Sequence, residues 1–415
     1  MLGIMAQTLL QAVMAYQVYD ISDSVLNLGI LGLARFLPSL GMSLIGGAAA
    51  DTYNRRTIIV IAQCVPLTCG VTLAAASFGG WVQVELIFAL VLMMGLSAAF
   101  EGPARLSLLP ALVRPETFTN AVTVSSTLQT LGMTTGPLLG TNVQSALGYG
   151  PAYTVQVVLV AGAMFMMLLL RYQHERRQGN SVSFAAIKEG VQFVRKSQVL
   201  LGAMSLDMFA VIFGGAQALL PVYSKDILGV GEVGYGILYA SLEVGAFLMS
   251  LVLVLRPPIQ QAGKALVYSV MAYGLFTLAF GLSREFALSV VLYMAIGAAD
   301  QISVVMRSTT IQLATPDALR GRVSAVSQVF IGASNQLGAV ESGFLAAATS
   351  ATFAVVSGGA AAFGIASFVG WRLKGLYYYQ IPRTPSLADY ERTRGPPTSP
   401  VAGAQTAEGP AGGSS

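Results

Sequence analysis

The sequence predicts an all-α membrane protein whose chain crosses a bilayer twelve times, in two similar groups of six helices. Three observations carry that expectation. Of 415 residues, 54% are hydrophobic and only 10% are charged, whereas a soluble domain carries about 25% charged residues. Long apolar runs recur along the whole chain, separated by short charged breaks. The lysines and arginines fall almost entirely in every second break, which is the charge asymmetry of a multi-pass protein.

Reading apolar runs between charges places the spans near 2–19, 26–50, 58–78, 84–104, 119–146, 151–170, 199–222, 231–255, 265–283, 286–306, 323–348 and 351–371. The first is short: residues 2–18 cover roughly 25 Å at about 1.5 Å per residue, against a hydrocarbon core of ~30 Å. It lacks the basic region that precedes a cleavable signal. Between the sixth and seventh spans lies "RYQHERRQGNSVSFAAIKEGVQFVRKSQ". There Phe184, Ile187, Val191 and Val194 recur at helical spacing opposite Lys188, Gln192 and Arg195. That pattern is an amphipathic helix, lying either along the membrane surface or on the protein's own loops. From Gly375 the chain turns polar and rich in proline and glycine, as disordered tails do. The expected organisation is a first six-helix bundle over 1–170, a linker over 171–198, a second bundle over 199–374 and a disordered tail over 375–415.

Side-to-side charge counting sets the orientation. One side holds Arg55, Arg56, Arg105, Arg114, the linker cations, Arg256, Lys264, Arg307, Arg320 and Arg322; the other holds only Lys225 and Arg284. The basic side is expected to be cytoplasmic, with both termini there, in an inner or plasma membrane. The two groups of spans also echo each other. "LGLARFLPSLGMSL" aligns with "LYASLEVGAFLMSL", and "GLSAAFEGPAR" with "GAADQISVVMR". A six-plus-six duplication around a central cavity follows.

Several classes of chemistry are disfavoured. The lone histidine, His174, falls in the linker, and Cys64 and Cys69 sit at i, i+5 on different helix faces. No metal site, cofactor or cluster of nucleophile and base is expected, and hence no enzyme. Basic residues form no patch interleaved with aromatics, so nucleic acid is not an expected partner.

Charges inside the spans carry more information. Arg35, Glu101, Asp207, Glu243, Asp300 and Glu341 lie in spans two, four, seven, eight, ten and eleven, and spans three, six, nine and twelve hold none. An ionisable group in hydrocarbon costs about 2.5–3.5 kcal/mol on insertion scales, so each must face a cavity or a partner. Counting from the span ends puts Asp207 and Glu243 near the midplane, Arg35 in the outer half and Glu341 close to the outer surface. Asp207, Glu243 and Arg35 are therefore the first candidates for handling substrate or protons, with a structural ion pair to Arg35 as the alternative. Glu101 lies four residues before Arg105 and Asp300 seven before Arg307, and for these two contacts with nearby arginines are expected.

Specific motifs point to a family. "GAAADTYNRR", residues 47–56, resembles the loop signature of the major facilitator superfamily, a glycine, then Asp, then a basic cluster. The resemblance implies that Gly47 permits close helix approach and that Asp51, Arg55 and Arg56 gate the cytoplasmic side, with Arg105, Arg307, Arg320 and Arg322 as partners. Thr52 and Asn54 depart from the pattern; Asn54 is expected to keep the turn by tolerating a left-handed backbone. "LGMTTGPLLG" resembles the fifth-helix signature of proton-linked exporters, through Gly132, Gly136, Pro137 and Gly140, with Thr141 in place of the last glycine. Its small residues are expected to pack against a helix of the other half. Val91, four residues before Gly95, stands where such exporters often carry arginine.

Over nearly the whole chain the sequence is similar to the enterobactin-exporter branch of that superfamily, in "FEGPARLSLLPALV", "ALLPVYSKDILGVG", "QLATPDALRGRVSAV" and "GASNQLGAVESG". Those relatives start with a cytoplasmic arm, so the resemblance implies a start upstream of Met1. It also implies a cavity lined by spans one, four, seven and ten. The expected activity is export of an amphiphilic small molecule by alternating access in exchange for protons, by a monomer in the lipid bilayer. The alternatives are an importer or uniporter of the same fold, or a non-transporting sensor or scaffold.

Overall fold

The protein is described here by a computed structural model covering residues 1–114, 117–170, 184–257 and 259–381. The described chain is helical, with α1 Leu2–Ser22, α2 Val25–Thr52, α3 Arg55–Gly79, α4 Val84–Leu112, α5 Phe118–Leu147 and α6 Tyr149–Leu169 in the first half. Helix α7 is Phe184–Lys196. The second half holds α8 Gln198–Phe213, α9 Leu220–Val222, α10 Gly231–Leu255, α11 Ala262–Leu282, α12 Phe286–Ala314, α13 Asp317–Ala348, α14 Ala351–Arg372 and α15 Lys374–Tyr377. The twelve expected spans are all present.

Several ends differ from expectation, and the reason is charge pairing. Helix α4 runs past Arg105 because that side chain folds back onto Glu101 one turn earlier. Helix α12 runs past Arg307 because Arg307 is buried against Asp207 of α8. A charge that finds a partner inside the bundle need not end a span. The seventh span, by contrast, is broken. Helix α8 stops at Gly214, and the chain continues through a short 3-10 turn, α9 and a π-turn over Tyr223–Ile227. Irregular backbone at membrane depth is tolerated where it is buried in protein or lines a cavity.

Each half has its own core. Leu9, Val13, Leu73, Ile87 and Tyr153 form one; Leu206, Leu266, Val270, Met306 and Ala362 form another. The halves meet along α2 against α13 and α5 against α10. At the first seam backbones touch: a Cβ on Gly29 would lie 3.2 Å from the Gly343 Cα. Among the described residues eight helices are long and apolar enough to cross a membrane on composition alone. There α1, α5 and α13 fall short of that measure, and these helices are packed against protein at or beside the seams.

Of the two placements expected for α7, its described residues take the one on protein. Val194 is buried with Ile311, Val323 and Val326, and Arg322 pairs with Glu189. The tail does not begin at Gly375. Leu376 is buried, and the Ile381 amide donates to the Gln260 carbonyl at 2.9 Å. Residues 382–415, most of the predicted tail, lie outside the described residues.

Candidate functional site: a charged cavity between the two halves

A cavity of about 430 Å³ lies between the halves. Its walls come from α1, α2 and α5 on one side and from α8, the broken stretch Gly214–Ala218, α10, α11, α12 and α13 on the other. The fourth span is not among them. It turns instead towards a small pocket inside the first half, where Glu101 lies near Gln63 and Gln156.

Three of the five charged candidates share this cavity: Arg35 from α2, Glu243 from α10 and Asp300 from α12. Helices α10 and α12 cross at van der Waals contact because each offers a glycine there. A Cβ on Gly245 would strike the Met294 carbonyl, and one on Gly297 the Leu242 carbonyl. That crossing sets Glu243 and Asp300 on one wall. Among the described residues neither carboxylate accepts a hydrogen bond, and the Arg35 Nη2 is buried without a partner. Tyr235, Tyr239, Tyr273 and Tyr293 line the same space. Tyr235 and Tyr239 stand edge to face with centroids 6.0 Å apart, and the Tyr273 hydroxyl is anchored to the Gly214 carbonyl at 2.9 Å.

The other two candidates are elsewhere. Asp207 is not in the cavity: it is 5% exposed and paired with the equally buried Arg307. Asp300, expected to lean on Arg307, faces the cavity instead. Glu101 pairs with Arg105, as its spacing suggests, and accepts from Gln63 at 3.4 Å.

One end of the cavity is shut by contacts that cross between the halves. Lys225 binds Asp20 at 3.0 Å and Asp23 at 2.9 Å, and lies over the Tyr19 ring. The Tyr19 hydroxyl donates to Asp226. Beneath them Tyr16, Leu219, Tyr223, Tyr235 and Phe280 form one apolar cluster from both halves. This is the arginine-poor end, and the sequence reading did not single it out.

At the arginine-rich end, the contacts that five of the arginines make among the described residues stay within a half or its linker helix. Arg55 donates to the Ser107 carbonyl at 2.9 Å, and Arg56 to those of Met167 at 3.0 Å and Leu168 at 2.5 Å. These tie α3 to α4 and α6; they do not cross to the second half. Arg105, Arg307 and Arg322 likewise pair within their own half or its linker helix. The expected cross-half latch is therefore not what these five residues make here. The Asp51 side chain lies outside the described residues, as does the surface around Gly47. Asn54 is not left-handed; at φ −63° it caps α3, its side chain accepting from the Arg56 amide at 3.0 Å.

The fifth-helix signature is also redirected. Gly132, Gly136 and Gly140 face α1 of their own half: a Cβ on Gly132 would lie 3.2 Å from the Met1 carbonyl oxygen, and one on Gly140 2.7 Å from the Leu9 Cγ. The residue that reaches the other half is Thr141, whose hydroxyl abuts Gly236 of α10 while donating to the Pro137 carbonyl at 2.9 Å. Nearer the arginine-rich end, Val122–Gln129 of α5 is exposed on every face.

A cavity shared by two six-helix bundles, closed at one end by contacts between them, defines a membrane transport protein. Residues 2–387 match the transmembrane secretion effector family, and the chain belongs to it, within the major facilitator superfamily. The enterobactin exporter EntS of Shigella boydii serotype 4 (strain Sb227) is 23% identical over 328 residues, 73% of this chain and 78% of that protein. EntS of Escherichia coli O1:K1 / APEC is 23% identical over 287 residues, 68% of each chain. Solved structures share the fold. A bacterial homolog of the human lysosomal transporter Spinster, in an inward-facing and unoccupied conformation, gives a TM-score of 0.67 at 16% identity over 91% of this chain and 93% of that one. A mutant of the nucleoside transporter NupG gives 0.65 at 13% identity over 90% and 98%.

Proposed function

We propose that the protein exports an amphiphilic small molecule across the cell membrane by alternating access, as a monomer driven by proton antiport. The observation that carries this reading is the cavity holding Arg35, Glu243 and Asp300 beneath a closed end. Two carboxylates share one wall without a counter-ion, and they are the groups in the cavity that can take up and give back a proton. An arriving substrate that favours the ionised pair releases that proton, which couples the two fluxes. With the arginine-rich side cytoplasmic and both termini there, the cavity opens inward, and Val122–Gln129 is wetted. In the opposite state, Lys225 releases Asp20 and Asp23. The signature residues Asp51, Arg55 and Arg56, with Arg105, Arg307, Arg320 and Arg322, would then take their turn at closing the inner end. Gly132, Gly136, Pro137 and Gly140 would keep α1 and α5 moving as one body. Residues 1–170 and 199–374 are the two moving bodies, joined through the linker 171–198. Export as the direction is supported by the enterobactin exporters among the relatives.

Everted membrane vesicles test this. Acidifying the lumen should drive accumulation of dye or siderophore by the wild type, and an importer or uniporter would show no such gradient-driven accumulation. Glu243→Gln and Asp300→Asn should each lower that uptake by more than about tenfold. Uptake indifferent to the imposed gradient would overturn the antiport reading.

A further inference from the structure

The cavity's charges are not distributed at random between the halves. The cation, Arg35, comes from α2 of the first half, and both carboxylates, Glu243 and Asp300, come from the second. Tyr239 stands within electrostatic reach of both Arg35 and Glu243 and lines the same cavity. Neither pole is satisfied from within the protein: the Arg35 Nη2 is buried with no acceptor. Asp207 and Arg307, in the same half as the two carboxylates, show that this chain can neutralise a buried charge where nothing else is required of it. At Arg35 and at Glu243–Asp300 the counter-charges are missing on opposite walls of one space.

From this we propose that the transported molecule is amphoteric, with a cationic nitrogen for Glu243 and Asp300 and an anionic or acceptor group for Arg35, held apart by a planar aromatic or cyclic body. The inference rests on the cavity being the substrate site, as argued above. Buried polar groups left without partners are costly, and a ligand that supplies both partners gains from each. The body of the molecule lies against Tyr239 and Tyr273, which, unlike the buried Tyr235 and Tyr293, keep partly open surface on the cavity and whose rings suit an aromatic surface. A purely anionic compound meets two carboxylates. A purely cationic one leaves Arg35 unmatched. Only a molecule with both groups touches both halves at once, which ties its binding to their movement.

Three xanthene dyes of similar size test the charge rule: rhodamine 110 (a cationic ring system with a free carboxylate), its methyl ester rhodamine 123 (cation only) and fluorescein (anion only). Fluorescence polarisation with the full chain in lipid nanodiscs should show rhodamine 110 binding about tenfold more tightly than either of the others, the scale of one charge-assisted hydrogen bond. Arg35→Gln should erase its advantage over rhodamine 123 and leave its advantage over fluorescein. Glu243→Gln with Asp300→Asn should do the reverse. Rhodamine 123 binding as tightly as rhodamine 110 to the wild type overturns the amphoteric rule, and gradient-driven uptake of both dyes would then leave the export reading standing. Saturable binding of none of the three overturns the rule as well; loss of all gradient-driven uptake besides would remove the export reading with it.

Discussion

Asp207 and Asp300 are the same residue type in the same half, and they live in opposite circumstances. Asp207 has its counter-ion against it and is shut away from water. Asp300 stands with Glu243 in a cavity without a counter-ion. Their difference is what distinguishes holding a fold together from working in it. A paired buried charge resists change, because losing one partner strands the other. An unpaired charge in a cavity is available to protons and to ligands.

Mutations can break this contrast. The largest expected effect is at the closed pair: Asp207→Ala strands Arg307 and should cost about 3–5 kcal/mol of stability, read as a lower thermal midpoint and a lower folded yield in detergent. Replacing both partners, Asp207→Leu with Arg307→Met, should restore most of that loss, since a buried pair is often exchangeable for apolar residues. Next comes the helix seam of the first half. Gly136→Leu must push Thr8 and Met5 of α1 away from α5, an overpacking that should cost about 1–3 kcal/mol on the same thermal assay. Asp300→Asn sharpens the contrast from the other side. Its unfolding should stay within about 1 kcal/mol of wild type while gradient-driven uptake collapses; equal losses of both would place Asp300 with Asp207. The smallest effect belongs to the latch. Lys225 makes two partly exposed pairs, which together are worth about 0.5–1 kcal/mol. Lys225→Ala in a Cys64→Ser background carrying Asn335→Cys should therefore raise labelling of that cysteine from the arginine-poor side by about two- to fivefold.

How much of this was legible in the sequence depends on distance along the chain. Helices are local, and apolar runs bounded by charges placed all twelve. The largest overruns, of α4 past Arg105 and α12 past Arg307, came where a charge was neutralised by another. Two of the cavity's charges were legible as well, because a lone Arg35 or Glu243 in an apolar run needs a reason to be there, whereas Asp300 was expected to lean on Arg307. Their pairing was not. Asp207 and Arg307 are far apart in the chain, and Arg307 reads as a loop cation until the fold brings α12 against α8. The four cavity tyrosines are among sixteen in the chain, and nothing in their spacing sets them apart. The break in the seventh span did leave a trace, the pair Gly214–Gly215. The latch left one too, since Lys225 is among the few cations on its side.

The seam between α2 and α13, where Gly29 lies directly on Gly343, has a mechanical meaning. Interlocked side chains must disengage before two surfaces can slide, and each disengagement is a barrier. A polypeptide surface stripped to its main chain has no teeth to lift. At that point the molecule has a smooth bearing, so the work of switching is concentrated in a few breakable ties at the rim and in whatever the cavity holds.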